Sequence, residues 1–546
     1  MQFVSSRSPG EVYSFKEAAL SGRCPQGGMF LPASLATFPS NFLDSLRGLS
    51  FSQSMAVVLE QLIGEDFAGD LPAICERAFA TEAFGERPFY AQALNSYAPY
   101  ELVIFADQGP GGSRFDYANA LAREFYLYWG LGKNTYLYSA PTPYSVISLS
   151  ASLPPDCPFK ALYFMDKRQS KDNLAHISDF LSGERAQGVY LDVDANESYQ
   201  LYRDILRNTN LGETIGSTDF KLLPADGSSI ISLLCQIALL TISLATLKEQ
   251  EVLPEEGVDL ALPSDDIDFV LAFFYLKSLG FPLKLCLIAE NANRLFSNFF
   301  RSGRYSLKKN FSYSKIPMLN SPWPAGFEAL LFELLGRNYQ LLAEFFQHME
   351  ERGQFTFPSS LHQSWRNHVR AVFNQDKRVI QSGRSLYDCS DYILDGGGAA
   401  AYAALQVGKH PKAKPEAALI LSSQNPLWSL EAMSEILFSR KFMRKLQAKR
   451  KVADSFVEES GIPVPKNLVE IFQIKSEGYE PEQDDCERLE AEDIFTLVDG
   501  EDFDPEDIFE DFPEEIEELD DETEDEIEVG AEDEAEQSYE TGYEDV

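Results

Sequence analysis

The sequence is poor in the groups from which metal and redox sites are built. Seven cysteines are spread over 546 residues, and no two of them are close enough for a CxxC pair. There are five histidines, and His362 and His368 are six positions apart, which does not place both on one face of a helix. We therefore expect neither a zinc site nor a redox dithiol, and scattered cysteines are typical of reduced, cytoplasmic proteins.

Positive charge is also scarce, and nearly all of the deficit lies at one end of the chain. The net charge is −40, and the segment from Ser476 onward holds −34 of it, with 35 acidic residues against Arg488 alone. Basic residues are concentrated only in Arg440–Lys451, which is too little for a nucleic-acid-binding surface. Dense like charge with little apolar surface predicts that the acidic tail, residues 472–546, is disordered.

The sequence has one apolar run long enough to cross a membrane. Ile230–Leu247 contains Ser232, Gln236 and Thr241, and no basic cluster flanks it. The N-terminus has no apolar signal segment. We predict that this run is a buried core helix and that the protein has no membrane partner.

Short apolar runs alternate with helical patterns through the body of the chain. The predicted strands are Leu102–Phe105, Thr135–Tyr138, Ala161–Phe164, Val189–Val193, Leu283–Ile288 and Ala418–Leu421. The predicted helices are Ser14–Leu20, Phe51–Ile63, Leu71–Phe79, Tyr117–Trp129, Tyr199–Arg207, Phe269–Leu279, Phe327–Leu335 and Arg440–Lys451, followed by a polar spacer to Ile471. Such alternation predicts an α/β protein with largely parallel sheets.

Three segments at the N-terminus resemble the opening of threonine synthases. They are Phe-Val-Ser-Ser-Arg at Phe3–Arg7, the helix-like Ser14–Gly22, and the Gly-Gly-Met-Phe-Leu-Pro turn at Gly27–Pro32. Ala289–Tyr305 and Phe327–Leu334 are similar to later segments of the same family.

This resemblance covers roughly residues 1–470. It implies the pyridoxal-phosphate fold shared with the tryptophan synthase β subunit, with two parallel-sheet α/β domains around a cleft. We therefore predict an N-terminal domain at 1–95, a body of two α/β subdomains at 96–471, and the disordered acidic tail at 472–546.

The resemblance implies an amino-acid biosynthesis enzyme that turns O-phosphohomoserine into threonine and phosphate. The family holds its aldehyde cofactor on a lysine, which forms the imine and shuttles protons. In the matching stretch Gly109 and Asp116 agree with the family, but the lysine position is Phe115. A phenyl ring can do neither task, so we predict no catalytic residue here.

The family's phosphate-binding loop is replaced by acids. Where the resemblance places glycine-asparagine-phenylalanine-glycine, this chain has Asp265, Asp266 and Asp268, which would repel a phosphate dianion. We interpret these acids as caps that complement the dipole of the following helix. A Ca²⁺ or Mg²⁺ site is the lesser alternative, because no EF-hand-like loop follows, and we predict no metal.

Two further loops depart from the family. The substrate loop is replaced by Tyr138–Tyr144, whose two prolines lack N–H donors. Asp395–Gly398 stands at the family's aspartate-proline-histidine-threonine, and the glycines there indicate tight packing. Ser423 still offers a hydroxyl that could meet a pyridine nitrogen.

These departures favour a threonine synthase-like protein that is catalytically inactive, needs no cofactor and acts through protein interaction. We interpret the vestigial cofactor site as Gly109, Asp116, Asp265, Asp266, Asp268 and Ser423. The expected partner is an unidentified basic protein that binds the acidic tail. The alternative is an active threonine synthase, or a related pyridoxal-phosphate-dependent lyase, with a displaced lysine. The nearest lysines in sequence are Lys133, Lys160 and Lys167.

Overall fold

The computed structural model describes most of the chain up to residue 474. The described residues are 1–22, 24, 27–85, 89–97, 100–107, 109–139, 142–166, 186–191, 221–307, 310–358, 367–408, 416–449 and 451–474. The predicted helix Tyr199–Arg207, Lys167 and the acidic tail from residue 475 onward lie outside them. The predicted disorder of the tail and the domain boundaries stay predictions.

The secondary structure confirms an α/β protein. The strands are β1 Gln2–Ser5, β2 Val12–Ser14, β3 Phe30–Pro32, β4 Phe89–Tyr97, β5 Tyr100–Asp107, β6 Thr135–Ser139, β7 Lys160–Asp166, β8 Ala186–Leu191, β9 Lys221–Pro224, β10 Val258–Pro263, β11 Leu283–Glu290, β12 Arg304–Ser306, β13 Gln354–Thr356, β14 Val369–Phe373 and β15 Glu416–Ser422. The helices are α1 Phe15–Ser21, α2 Phe42–Ser45, α3 Phe51–Ile63, α4 Leu71–Ala78, α5 Thr81–Phe84, α6 Phe115–Tyr128, α7 Pro143–Ala151, α8 Ile230–Glu249, α9 Ile267–Ser278, α10 Leu295–Ser302, α11 Phe327–Leu334, α12 Tyr339–Arg352, α13 Asp376–Ser390, α14 Gly396–Gly408, α15 Leu430–Leu437, α16 Arg440–Ala448, α17 Val452–Ser460 and α18 Lys466–Ile471.

The N-terminal part opens with a small antiparallel sheet in the order β2-β1-β3. Helix α1 begins at Ser14, whose hydroxyl accepts the Glu17 N–H while the Glu17 carboxylate accepts the Ser14 N–H. This capping box satisfies two N–H groups that the first turn leaves without helical partners. The predicted start of α1 is therefore confirmed, as are helices α3 and α4.

Two larger sheets form the body. The first has six strands in the order β14-β11-β10-β15-β5-β4, all parallel except β4, and the second has four parallel strands in the order β8-β7-β6-β9. Strand β10 is buried along its whole length, as expected for a strand covered on both faces. All six predicted strands are present, with ends that differ by a few residues where they are described, and the predicted end of the fourth at Asp192 and Val193 lies outside the described residues. Strands β4, β9, β10 and β14 were not predicted.

Helix α8 is the one described helix that is long and apolar enough to cross a membrane. In the structure 89% of its most apolar stretch is buried inside the protein. Its hydroxyls are satisfied within the helix, since Thr241 donates to the Ile237 carbonyl and Ser243 to the Leu239 carbonyl. The prediction of a buried core helix is confirmed.

The interval up to Ile471 is not a polar spacer, and that prediction was wrong. It forms α17 and α18, and its sparse apolar residues Phe456, Leu468 and Ile471 are buried. Asn467 donates to the carbonyl of Pro110 at 3.2 Å, so this segment closes over the loop that precedes α6. Apolar residues at helical spacing can fill a core even where the average composition is polar.

Candidate functional site: a buried arginine–carboxylate cluster

The site lies at the carboxyl ends of three neighbouring strands of the six-stranded sheet. Strand β15 pairs in parallel with β10 on one side and β5 on the other. The chain leaves β5 toward Arg114, β10 toward Asp265, and β15 toward Ser423. Parallel pairing brings these three exits to one edge, which is where α/β proteins place their ligands.

Arg114 is the centre of this site. Its Nε forms an ion pair with Asp266, and its Nη1 lies 2.8 Å from Asp268 Oδ2. The side chain is only 3% exposed, and its guanidinium carbon lies 4.2 Å from the centre of the Phe115 ring. The planar guanidinium can meet two carboxylates at once while stacking on an aromatic ring, which a lysine could not do.

The carboxylates have further partners from separate parts of the fold. The Ser423 hydroxyl donates to Asp266 Oδ2 at 2.6 Å, and the Tyr144 hydroxyl donates to the Asp265 carboxylate. Tyr144 follows β6 of the four-stranded sheet, whereas Asp265 follows β10 of the six-stranded sheet. The cluster, defined here as Arg114, Asp265, Asp266 and Asp268, therefore connects the two sheets.

Burial sets the ionisation of the cluster. Burial raises the pKa of Asp265 to about 7 and that of Asp268 to about 6, although the charge of Arg114 works in the opposite direction. Burial alone would lower the pKa of Arg114, but Asp266, Asp268 and Asp265 outweigh it and raise that pKa. Arg114 is therefore permanently charged, and the protein supplies its own counter-ions.

The acids make no side-chain hydrogen bond at the N-cap of α9, so the capping part of that interpretation was wrong, whereas the dipole part holds for Asp268. Asp266 is the residue that precedes α9, and its side chain makes no capping hydrogen bond. The carboxylates turn toward Arg114 instead, although Asp268 stays in the first turn near the positive end of the helix dipole. Within the described residues, no group of three or more His, Cys, Asp or Glu side chains is arranged to hold a metal ion.

Phe115 is the first residue of α6 and points into the same region. Its ring is 3% exposed and lies nearly parallel to the ring of Tyr144, with 6.4 Å between the centroids. The position that the resemblance assigns to a lysine is thus filled by an aromatic ring that packs between Arg114 and Tyr144.

Gly109 and Asp116, which match the family, hold the loop before α6 in shape. Asp116 Oδ2 accepts the N–H groups of Gly111 and Ser113 at 3.0 and 3.2 Å, and burial raises the pKa of Asp116 to about 7. A Cβ on Gly109 would lie 2.2 Å from Asp116 Oδ2, so only glycine fits there. Both residues therefore stabilise the conformation of the loop between β5 and α6.

A neighbouring carboxylate, Asp395, organises the start of α14. It accepts the Ser422 hydroxyl at 2.6 Å and the N–H groups of Gly397 and Gly398 at 3.1 Å. Burial raises the pKa of Asp395 to about 7. A Cβ on Gly396 would lie 2.3 Å from Ser429 Oγ, so the prediction of tight packing at these glycines is confirmed.

Two of the three alternative lysines lie at the wrong edge of the four-stranded sheet. Lys133 precedes the amino end of β6, and Lys160 is the first residue of β7, where it donates to the Tyr136 hydroxyl at 3.3 Å. Because β6 and β7 are parallel, their amino ends lie opposite the edge from which Tyr144 reaches the cluster. Lys167 and Pro141 of the predicted substrate-loop replacement lie outside the described residues.

Sequence reasoning placed Ser423 in this site but missed Arg114 and Tyr144 as partners of the acids. Gln236 also belongs here, since its Nε2 donates to Asp268 Oδ2 at 3.4 Å from the middle of α8. One signal was present: an arginine stands beside the altered lysine position, and three acids stand in the altered phosphate loop. Opposite charges in two changed loops indicate an ion pair across the site.

Comparisons with known proteins agree with this fold. Residues 2–79 match the family described as Threonine synthase N terminus. Threonine synthase from Methylobacillus glycogenes is 20% identical over 369 residues, which is 65% of this chain and 75% of that protein. Human Threonine synthase-like 1 is 22% identical over 409 residues, which is 70% of this chain but 52% of that protein, so the chain spans about half of its length.

Solved threonine synthase structures have a similar fold over more of the chain. Threonine synthase from yeast superimposes with a TM-score of 0.70 at 16% identity and covers 87% of this chain and 94% of its own. Pyridoxal-phosphate-bound threonine synthase from Brucella melitensis gives a TM-score of 0.67 at 18% identity, with 87% and 95% covered. The chain therefore has the fold of these threonine synthase structures, and its residues 2–79 match the N-terminal family of threonine synthases.

Proposed function

We propose that this chain is a threonine synthase-like protein that has given up pyridoxal-phosphate chemistry and acts by binding another protein. The observation that carries the first half is the buried pairing of Arg114 with Asp266 and Asp268. This pairing occupies the end of the sheet where the loops after β5, β10 and β15 meet.

The side chains at this edge do not fit the family cofactor. Pyridoxal phosphate needs an amine for its imine, and the matching position is Phe115, whose ring packs against Tyr144. Its phosphate needs several N–H donors and a positive helix end. Here Asp268 stands in the first turn of α9, and a Cβ on Gly227 would already lie 2.9 Å from its carboxylate.

Charge adds to this mismatch. Arg114 already donates to the carboxylates of Asp266 and Asp268 and to the main-chain carbonyl of Asp265. Each close carboxylate–phosphate pair costs on the order of a few kcal/mol at an effective dielectric of about 20, before screening. These carboxylates would therefore oppose binding of the cofactor phosphate.

The rival function is an active lyase that uses a displaced lysine. Lys133 and Lys160 lie at the edge opposite the cluster, so Lys167 is the remaining candidate of the three. Borohydride reduction of the full chain with excess pyridoxal phosphate, followed by intact mass measurement, separates the two functions.

We expect no covalent adduct and no imine absorbance for this chain, with the Brucella melitensis threonine synthase as a positive control. A stoichiometric adduct would overturn the proposal. If Lys167→Ala also removed that adduct, the displaced-lysine enzyme would replace it.

The second half of the proposal concerns the acidic tail. Its charge of −34 attracts basic proteins at low salt, and the repeats Glu492–Phe495 and Glu506–Phe509 add apolar anchors. Quantitative pull-down compares the full chain with a chain that lacks residues 476–546, at low and high salt. We expect a basic partner that is lost on deletion and weakened by salt.

A matched variant separates charge from apolar anchoring. Phe495→Ser with Phe509→Ser leaves the charge unchanged, so a purely electrostatic partner would bind it as well as the native chain. Binding that ignores both the deletion and salt would contradict the proposal. We expect this interaction in the cytoplasm, because seven scattered cysteines without a CxxC pair are typical of a reducing compartment.

A further inference from the structure

The outer strand of the six-stranded sheet has an unpaired edge. Strand β14 pairs in parallel with β11, from Val369 beside Cys286 to Phe373 beside Glu290. Among the described residues no strand pairs with its other edge. Such an edge offers a row of N–H and C=O groups to an incoming strand.

A groove runs between this strand and helix α10. It has a volume of about 870 Å³, and it is lined by five residues of β14 together with α10 and its flanks. Phe300 and Phe373 give it an apolar surface, and Ser297 and Asn298 add polar groups. This volume is large enough to accept several side chains.

Three arginines line the groove. Arg294, Arg301 and Arg370 are all exposed, and within the described part of the chain none of them forms an ion pair with an acidic side chain. Arg294 lies over the Phe373 ring at 4.4 Å, and Arg301 donates to the Asn298 amide oxygen at 3.3 Å. Three unpaired positive charges are notable in a protein with a net charge of −40.

The buried carboxylate of Glu290 feels the charge of Arg294 but forms no ion pair with it in the described part of the chain. Glu290 accepts the N–H groups of Phe296 and Ser297 at 2.8 and 2.6 Å, so its oxygens face the start of α10. Burial raises the pKa of Glu290 to about 7. The groove therefore keeps a positive potential.

We propose that this groove binds an extended acidic peptide segment of a partner protein, which adds a strand to β14. Its backbone would pair with the free edge of β14. Successive side chains of a strand point to opposite faces, and Arg370 and Phe373 are three positions apart, so one face of the added strand would meet Arg370 and the other would reach Phe300 and Phe373. Carboxylates on the first face would bind Arg370, since arginine binds carboxylates with two parallel N–H bonds, while Arg294, which lies over Phe373, and Arg301 would attract the same acidic segment from the second face. A small anion would use the arginines but leave the strand edge unpaired, which is why a peptide fits better.

The probe is a fluorescein-labelled peptide of alternating glutamate and valine, and binding to the full chain is followed by anisotropy. We expect saturable binding that weakens with salt, and no binding of the same peptide with lysine in place of glutamate. The variant Arg301→Glu with Arg370→Glu should raise Kd by about tenfold or more, since both are exposed charges at the binding surface. Arg47→Glu with Arg352→Glu, two exposed sites outside the groove, should leave Kd unchanged.

Peptide N-methylation tests the strand pairing itself. In a strand, alternate N–H groups point to opposite edges, so N-methylation of the odd-numbered or of the even-numbered residues removes the donors of one edge only. One of these two methylated peptides should lose binding, and the other should keep it. Equal binding of both methylated peptides would overturn the added strand, and equal Kd for both double variants would overturn the groove. If the peptide bound only after deletion of residues 476–546, the occupant would be the chain's own acidic segment and the partner proposal would be wrong.

Discussion

Two groups of arginine in this molecule differ in burial and in ion pairing. Arg114 is buried and paired with Asp266 and Asp268, whereas Arg294, Arg301 and Arg370 are exposed and, in the described structure, without acidic partners. A charge can be buried without a large loss of stability only when counter-ions and hydrogen bonds accompany it. Exposed charges need no partner in the fold, so they stay free to bind something else. The first group is part of the structure, and the second is available as a binding surface.

The two groups should differ most in how much the free energy of unfolding falls when an arginine is replaced by an uncharged residue. Arg114→Met leaves buried carboxylates without a counter-ion, so we expect a loss of about 3–5 kcal/mol in the free energy of unfolding. Arg370→Met should change it by about 0.5 kcal/mol or less, as for other surface substitutions. Urea denaturation of the full chain measures both. A loss below about 1 kcal/mol for Arg114→Met would show that the cluster is not a structural unit.

The carboxylates around the buried arginine should also contribute to the pH dependence of stability, together with Asp116, Glu290 and Asp395, whose pKa values burial likewise raises to about 7. Burial raises the pKa of Asp265 to about 7 and of Asp268 to about 6, above the value of 3.8 expected in an unfolded chain. The folded state then binds more protons than the unfolded state between about pH 4 and 7. Stability is therefore highest at the acidic end of this window and falls as pH rises toward 7, by up to about 1.4 kcal/mol per pH unit for each such group.

The matched variant for this effect is Asp265→Asn, which has the shape of the protonated acid but does not titrate. Melting temperatures between pH 5 and 8 should fall less steeply for this variant than for the native chain. Asp44→Asn, at an exposed site, should leave the slope unchanged. An unchanged slope for Asp265→Asn would mean that Asp265 is already ionised across this range.

A smaller effect is expected from the hydroxyl that supports the cluster. Ser423→Ala removes the donor that lies 2.6 Å from Asp266 Oδ2. Loss of a hydrogen bond to a charged acceptor costs about 1.5–3 kcal/mol when no water replaces it. Chemical denaturation tests this, with Ser52→Ala, at a partly buried site outside the cluster, as the control. Equal effects of the two substitutions would remove Ser423 from the cluster.

The last prediction is that Phe115→Lys alone restores no threonine synthesis. The new amine would enter a region that Arg114 and Tyr144 already fill, and the carboxylates of Asp265 and Asp268 would still face the phosphate. The measurement is phosphate release from O-phosphohomoserine with excess pyridoxal phosphate. Robust, cofactor-dependent turnover by this single variant would show that the cluster is compatible with the cofactor after all.

Local signals were enough to predict much of the fold. Helix α1 begins where Ser14 and Glu17 form a capping box, and α3 follows an uninterrupted helical pattern. Strand β10 was missed because it is short and contains Asp259, and β14 because Arg370 interrupts its apolar run. A strand of five or six residues is specified largely by its neighbours in the sheet, which single-sequence patterns do not contain.

The sequence by itself determined that the chain alternates strands and helices, that it resembles threonine synthases, and that Phe115 stands at their lysine position. It also determined that a separate acidic segment holds −34 of the charge. Only the tertiary structure decided that Asp266 and Asp268 pair with Arg114 and that Asp265 accepts the Tyr144 hydroxyl, with no capping hydrogen bond to α9 from Asp266. The physical reason is distance along the chain: Arg114 and Asp266 are separated by 152 positions, and only parallel pairing of β5, β15 and β10 brings their charges into contact.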